Sequence, residues 1–436
     1  MTRDHVRLPR WLVYSVILLL AILALERFIY EDLPIYWPVN DLTPVWVSSK
    51  AFAAGNDPYN DIPELEKIWA STHVQAYGYT NYEGILHTHP MGYPLMTLPL
   101  FAPLTLLSYF AAVQVVLWGS IALFVVMIFL LARQATWSRP RKFFFIAFAL
   151  AMGPLHNGIH FSNLNTLVIA LLGLGVVFFE RKPRWAGIAL GCALCIKPQV
   201  AFLFFAYPWL RRKWETSLSE LATAGAIFSG AWIWMAAHHV GWYRSYLAAL
   251  AQFSSTGNNS FYASVRFQML NLQVLVFEFI HSYQWSDRIA WILFLGLSAT
   301  AVVLVRKWGR NEAAEWAILS ILTLLPVYQR FYTGEILIFT LYWAIENWSL
   351  QKAKAAIVLM LPLLLARAAN ARTITAPSRW VKSHNSDSHF LWNAFVMPHL
   401  IWMELILLII LLVSVYSLGT DEIASRLVPE RGEREP

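Results

Sequence analysis

The chain has 436 residues, 58% of them hydrophobic and only 14% charged, with a formal net charge of +7. Water-soluble domains carry nearer a quarter charged residues, so a soluble protein is ruled out. The apolar residues fall in long runs suited to helices crossing a hydrocarbon core of about 30 Å, not in the alternating short strands of a membrane barrel.

Arg3, Arg7 and Arg10 precede the first apolar run, Trp11 to Leu25. A basic head before an apolar middle is also the pattern of a secretory leader, but no small-residue cleavage site follows, so an uncleaved first span with a cytoplasmic N-terminus is expected. Further spans are expected at roughly 109–132, 143–158, 164–180, 185–198, 199–210, 217–238, 288–305, 313–328, 332–346, 354–369 and 399–418. The fold class is therefore an all-α polytopic membrane protein of about 10–13 transmembrane helices, with one integral membrane domain over 1–419 and a short charged cytoplasmic tail over 420–436.

Basic residues cluster in the short connections: Arg133, Arg139, Arg141 and Lys142; Arg181, Lys182 and Arg184; Arg211 to Lys213; Arg306, Lys307 and Arg310; Lys352 and Lys354. If the spans alternate, these connections share the side of the N-terminus, as the positive-inside rule requires. The basic excess is then a matter of topology and not a sign of nucleic-acid binding. Three longer polar segments, 31–108, 239–287 and 370–398, fall on the outer side of what would be a bacterial plasma membrane. The first contains PELEKIWASTHVQA, whose apolar spacing suggests an interfacial amphipathic helix. It ends in HTHPMGYPLMTLPLFAPLTLL, whose four prolines bar a straight span and point to a re-entrant or interfacial piece packed on protein.

Several polar groups stand where an apolar chain needs a reason for them. Asp41 follows the first span, amid Trp37, Pro38, Pro44 and Trp46, and is the best-placed candidate for a general base; a solvated boundary carboxylate is the plain alternative. Lys197 ends AGIALGCALCIKP and is either a phosphate-binding cation or an interfacial lysine that snorkels. HNGIHFSNLNTL holds Asn163 and Asn165, which suit sugar hydroxyls but also helix capping. Its His156 and His160 have the four-residue spacing of a helical zinc pair, yet no glutamate accompanies them and metal is not the favoured reading. PVYQRFYTGE presents Arg330 between aromatic residues, with Gln329 beside it, and STGNNSFYASVRFQ presents Asn258, Asn259 and Arg266. Cys192 and Cys195 lie in an apolar run and read as small packing residues, not as a redox pair. No phosphate-binding glycine loop, no G-x-S-x-G and no H-E-x-x-H occurs.

Taken in order, four places resemble glycosyltransferase family 87: Asp41 followed by AFAAGNDPYN; Tyr93-Pro94 in GYPLMTLPLFAPL; SNLNTLVIALL; and AGIALGCALCIKP with its following RRKW. The YQRFY turn extends the likeness. Two departures stand out, since Ser162-Asn163 replaces the Gly-Gln common in the family, and Gln329 stands where a histidine is expected. The resemblance implies a C-type glycosyltransferase fold and transfer of a hexose, mannose by preference, from a polyprenyl-phosphate donor to a glycolipid or glycan acceptor on the extracytoplasmic face. It implies Asp41 as base, Lys197 and Arg330 as candidates for the donor phosphate, and Tyr59, Tyr93 and Asn165 as candidates for the substrate pocket; Arg266 is a further candidate for the phosphate, and Asn56, Asn163 and Gln329 are further candidates for the pocket. No cofactor is expected, although a divalent ion between Asp41 and Asp57 stays open. An arabinofuranosyl donor is the near alternative. A transporter or flippase of lipid-linked sugars is the distant one, disfavoured because the polar clusters sit at one boundary and no repeat relates the two halves.

Overall fold

The computed structural model describes residues 9–32, 41–60, 62–72, 91–255, 268–308, 311–365, 390–396 and 398–427. Among them the structure is helical throughout, with one isolated antiparallel bridge, Met269 to Arg330. The chain is an all-α polytopic membrane protein.

The first half comprises α1 (Arg10–Arg27), α2 (Leu42–Ala53), α3 (Ile62–Ala70), a broken helical piece over Leu95–Leu106, α4 (Tyr109–Gln134), α5 (Arg139–Ala151), α6 (Gly153–His160) and α7 (Asn165–Phe178). The second half comprises α8 (Pro183–Ile196), α9 (Pro198–Leu210), α10 (Trp214–Ala237), α11 (Trp242–Ser255), α12 (Leu272–Ile280), α13 (Tyr283–Trp308), α14 (Glu312–Leu324), α15 (Ile338–Glu346), α16 (Gln351–Met360) and α17 (His399–Leu427). Among the described residues four helical stretches have the length and apolarity to cross a membrane, Trp11–Tyr30, Tyr109–Gln134, Tyr283–Trp308 and His399–Ser417; α5 and α6, bent by 43° where they meet, would make a fifth. The shorter runs expected from sequence are helical but reach less far. The 14 residues of α7 or α8 rise only about 21 Å, because proline or a basic turn ends them early. Long helices on the outside expose Leu18, Leu19 and Ile22 of α1 and Ile292, Leu295 and Val303 of α13, surfaces that only lipid would cover favourably.

Local chemistry sets the breaks that matter. Pro183 opens α8 and Pro198 opens α9, each where a missing N–H costs nothing; Pro198 also forbids helical conformation at Lys197, whose φ is −138° and ψ 85°. The two prolines thus leave Lys197 alone at a helix junction. Small residues let α8 lie directly on α10: a Cβ added to Gly187 would meet the Thr216 carbonyl oxygen at 2.5 Å, and one at Gly191 the Glu220 carbonyl oxygen at 2.8 Å. Cys195 is buried and Cys192 half-buried along this run, unpaired, in keeping with a packing role.

At the ends of α8 and α9 away from Lys197, the basic connections hold one another through acids. Arg184 bonds Glu215 at 2.8 Å, Lys213 bonds Glu180 at 2.6 Å, and Arg211 approaches the buried Glu315 at 3.5 Å. The proline-rich segment is a chain of short helical turns: the first part buries Leu95, Thr97, Leu98 and Phe101, with Thr97 Oγ1 donating to the carbonyl oxygen of Cys195 at 2.8 Å, and the last turn, Ala102–Leu106, ends at the exposed Leu106. The expected amphipathic helix is α3, which buries Leu65, Ile68 and Trp69.

Candidate active site

Four of the sequence motifs and the YQRFY turn meet at a cavity of about 310 Å³. Its lining includes Asp41 at the start of α2, Tyr93 and Pro94 at the entry to the broken segment, Asn163 in the turn between α6 and α7, and Lys197 at the α8–α9 junction. Gln329, Arg330 and Tyr332 close one side, and Tyr246 and Leu250 of α11 another.

Asp41 is held to the α6–α7 turn twice. Its backbone N–H donates to the carbonyl oxygen of Phe161 at 3.0 Å, and Asn163 Nδ2 donates to its Oδ2 at 2.5 Å. Asn163 is fixed in turn by Ser162, which takes a left-handed conformation at φ 45°, and by the Asn163 N–H bond to the Gly158 carbonyl at 2.9 Å. The Asn163 Oδ1 accepts from Lys197 Nζ at 2.6 Å and from the Asn165 N–H at 3.0 Å. Asn165 Oδ1 also accepts from Lys197 Nζ, at 2.8 Å, while its Nδ2 donates to Thr333 Oγ1 at 2.7 Å.

The Lys197 ammonium therefore does not snorkel. It is buried between two amide oxygens, with the Tyr93 ring centroid at 5.5 Å and that of Tyr332 at 5.4 Å. Behind it Glu335 is fully buried, accepting from Thr166 Oγ1 at 3.2 Å and acting electrostatically on the ammonium. Arg330 stacks its guanidinium beside Tyr328, 5.7 Å from the ring centroid, and its Nε donates to the Tyr328 hydroxyl. The Met269–Arg330 bridge and the Leu270 N–H bond to the Gln329 carbonyl at 2.8 Å hold this turn in place. Gln329 Nε2 faces the Gln199 carbonyl at 3.4 Å.

Other candidates lie elsewhere. Tyr59 stands one layer back, its hydroxyl donating to the Tyr93 carbonyl at 3.1 Å and its ring against Tyr246 at 5.1 Å. Burial foremost, then the nearby Tyr246 and Asp57, raises the Tyr59 pKa well above the usual tyrosine value, so it remains a neutral donor. Burial, followed by the charge of Asp41, does the same for Tyr93. Asn56 does not reach the cavity. It belongs to the turn after α2, where Gly55 has φ 76° and a Cβ would strike the His238 ring at 2.1 Å. Asn165 also lies behind the lining and acts on Lys197 from there. Arg266, Asn258 and Asn259 lie outside the described residues, as do Trp37 and Pro38.

Asp57 is not at the cavity. It accepts from Ser245 Oγ at 2.6 Å and from the Tyr59 N–H at 3.0 Å. Among the described residues no three His, Cys, Asp or Glu side chains are grouped to hold a metal ion. His156 and His160 do not form a pair either, since His156 Nδ1 is taken by Asp32 at 2.7 Å and Nε2 by the Leu150 carbonyl at 2.8 Å. Sequence reading overlooked Glu335 and Asp32, because nothing local distinguishes a carboxylate that packs against residues more than a hundred positions away.

An acid joined through one amide to a buried ammonium, with a guanidinium facing the same cavity, can accept a hydroxyl proton at one end and carry phosphate charge at the other. In an all-helical membrane protein this arrangement suits group transfer. The model of glycosyltransferase family 87 matches residues 92–328, more than half of the chain, and the chain belongs to that family. Asp41 precedes the matched region. An alpha-(1->3)-arabinofuranosyltransferase of Corynebacterium glutamicum is 26% identical over 200 residues, which cover 44% of this chain and 42% of that protein. The chain thus aligns with less than half the length of that curated relative. No solved structure matches it.

Proposed function

We propose that this protein transfers one glycosyl residue from a polyprenyl-phosphate sugar to a hydroxyl of a glycolipid or glycan acceptor, at the outer face of a bacterial plasma membrane. The observation that carries this reading is the bond path from Asp41 through Asn163 to Lys197 along the wall of a cavity that Arg330 also lines. Asp41, with Oδ2 engaged by Asn163, takes the acceptor's proton on its other oxygen as the acceptor oxygen bonds to the anomeric carbon. The bond from that carbon to the phosphate oxygen breaks in the same step, inverting the configuration, and polyprenyl phosphate leaves. Lys197 and Arg330 offset the charge that gathers on the departing phosphate. The basic connections lie at the ends of α8 and α9 opposite Lys197, which supports an outer-face site and cytoplasmic termini.

For the sugar, the resemblance read from sequence favours mannose, and the named activity of the Corynebacterium relative favours arabinofuranose on at least equal footing. The test supplies purified protein in lipid nanodiscs with polyprenyl-phosphate mannose or polyprenyl-phosphate arabinofuranose and a panel of glycolipid acceptors. Turnover with one donor names the sugar. Asp41→Asn is expected to lower kcat by about 10²- to 10⁴-fold while still binding that donor; a variant as active as wild type would remove Asp41 as the base.

A further inference from the structure

Between α5 and α6 the backbone leaves helical geometry at Met152, where ψ is 126°, and Pro154 follows in the first turn of α6. Such a break frees carbonyl oxygens that, in a membrane protein, need partners from the protein itself. Two side chains supply them. Arg27 Nη1 donates to the Ala151 carbonyl at 2.6 Å, and His156 Nε2 meets the Leu150 carbonyl at 2.8 Å. A carbonyl oxygen only accepts, so Nε2 carries a proton and the other ring nitrogen is committed to Asp32, at 2.7 Å. Arg27, Asp32 and His156 are each at least 97% buried. Arg27 also reaches the Leu364 carbonyl through Nη2 at 2.5 Å.

These contacts bear on the candidate site through chain connectivity. Asp32 ends the helical turn that continues α1, and Asp41 opens α2 nine positions later. Asp32 is bonded to the second turn of α6, and Asp41 is bonded to the residues just beyond the C-terminus of the same helix, by its N–H to Phe161 and its carboxylate to Asn163. Both ends of the connection from α1 to α2 are therefore anchored on one eight-residue helix and the turn that follows it.

We propose that Asp32 and His156, braced by Arg27, are positioning residues for the transfer reaction: they register the chain that carries Asp41 against α6, and so set where its carboxylate stands in the cavity. The inference rests on Asp41 being the base, and it gives His156 a role different from metal binding. A displaced base leaves donor contacts at Lys197 and Arg330 in place, so the deficit falls on kcat and not on the donor KM. Misplacing a reacting group by about 1 Å can slow a reaction about a hundredfold.

The experiment compares full-length wild type with Asp32→Ala, Asp32→Asn and Asp32→Glu in nanodiscs, by kinetics with whichever of the two polyprenyl-phosphate sugars wild type turns over and by amide hydrogen exchange. Asp32→Ala is expected to lower kcat about ten- to a hundredfold with donor KM within about twofold. It should speed exchange at the Asp41 amide about tenfold or more, while amides of α8 and α10 stay protected. Asp32→Asn keeps a hydrogen bond to His156 Nδ1 whether or not that nitrogen carries a proton and is expected to keep both readouts near wild type; Asp32→Glu keeps the carboxyl group but is one methylene longer and should lower kcat. Wild-type kcat and Asp41 exchange in Asp32→Ala would overturn the proposal, and so would a raised donor KM with unchanged kcat. If Asp32→Ala does not fold, wild-type kinetics in Asp32→Glu overturns it instead. Exchange reads the anchoring whether or not either donor is a substrate, which separates failure of this inference from failure of the donor assignment.

Discussion

Asn163 stands between Asp41 and Lys197, donating to the carboxylate through Nδ2 and accepting from the ammonium through Oδ1 at 2.6 Å. One amide thus aligns the two charges while keeping them from pairing directly. A direct ion pair would occupy both the proton acceptor and the cation, whereas the bridged form leaves each facing the cavity.

Asn163→Ala removes both bonds from buried or half-buried charged groups. Hydrogen bonds to charged partners contribute about 1.5–3 kcal/mol, so kcat/KM is expected to fall about ten- to a hundredfold in steady-state transfer assays. Activity within twofold of wild type would show that the bridge is incidental.

Lys197→Met should lower kcat/KM about a hundredfold, because it removes a cation and takes a charged donor from two amide oxygens, leaving Asn163 Oδ1 with only the Asn165 N–H. Lys197→Arg is expected not to restore activity. The space between Asn163, Asn165, Tyr93 and Tyr332 is fitted to a compact ammonium, and a planar guanidinium presents its donors in a fixed fork. Wild-type donor binding by the Arg variant, measured by titration, would show that charge alone suffices.

The seating of α8 on α10 predicts a stability effect remote from the cavity. Gly187→Val places side-chain atoms within 3 Å of the Thr216 carbonyl and should cost about 1–3 kcal/mol, read as a lower unfolding midpoint in detergent. Gly225→Ala, on α10 where nothing lies within 4 Å of the added Cβ, is expected to leave the midpoint unchanged or raise it. Equal effects of the two changes would refute close packing as the reason for the small residues.

Alkaline pH offers another check. Tyr59 is buried and Tyr93 half-buried in the cavity wall, and their pKa values lie above the usual value near 10, so above that pH the unfolded chain loses protons that the folded chain keeps. Stability contributed by these phenols is complete below about pH 10 and declines as pH rises further. Thermal midpoints between pH 8 and 11 should show the decline, and Tyr59→Phe should reduce its slope; a decline of the same slope in the variant would exclude Tyr59 as a source. The same variant loses the bond to the Tyr93 carbonyl, about 1 kcal/mol, without touching the cavity.

Much of the site was legible before any coordinates. Asp41, Tyr93, Asn163, Lys197, Gln329 and Arg330 all line one cavity; Asp41, Asn163, Lys197 and Arg330 had drawn attention as polar groups with a poor reason to be near lipid, and Tyr93 and Gln329 through the family resemblance. Asn56 and Tyr59 were placed one layer too far forward. The GNDPYN stretch looks like a binding loop because turns and ligand sites use the same residues, yet here Gly55 makes the turn and Tyr59 supports the backbone of Tyr93. Glu335 and the Asp32–His156 pair were missed, since a carboxylate's partner across the bundle leaves no periodic trace in sequence.

What the sequence by itself determined is the solvent and the layout: a charged fraction of 14%, apolar runs and basic turns require a helical membrane protein, because only helices satisfy their backbone in lipid and cations resist crossing it. Proline placement also determined that Lys197 would stand at a helix junction. Only the tertiary structure decided which of the scattered polar residues share a cavity and which brace it. Asp41, Asn163 and Lys197 are 122 and 34 positions apart, and their meeting depends on how α6, α7 and α8 pack, through close glycine contacts and buried side-chain bonds that no local pattern encodes.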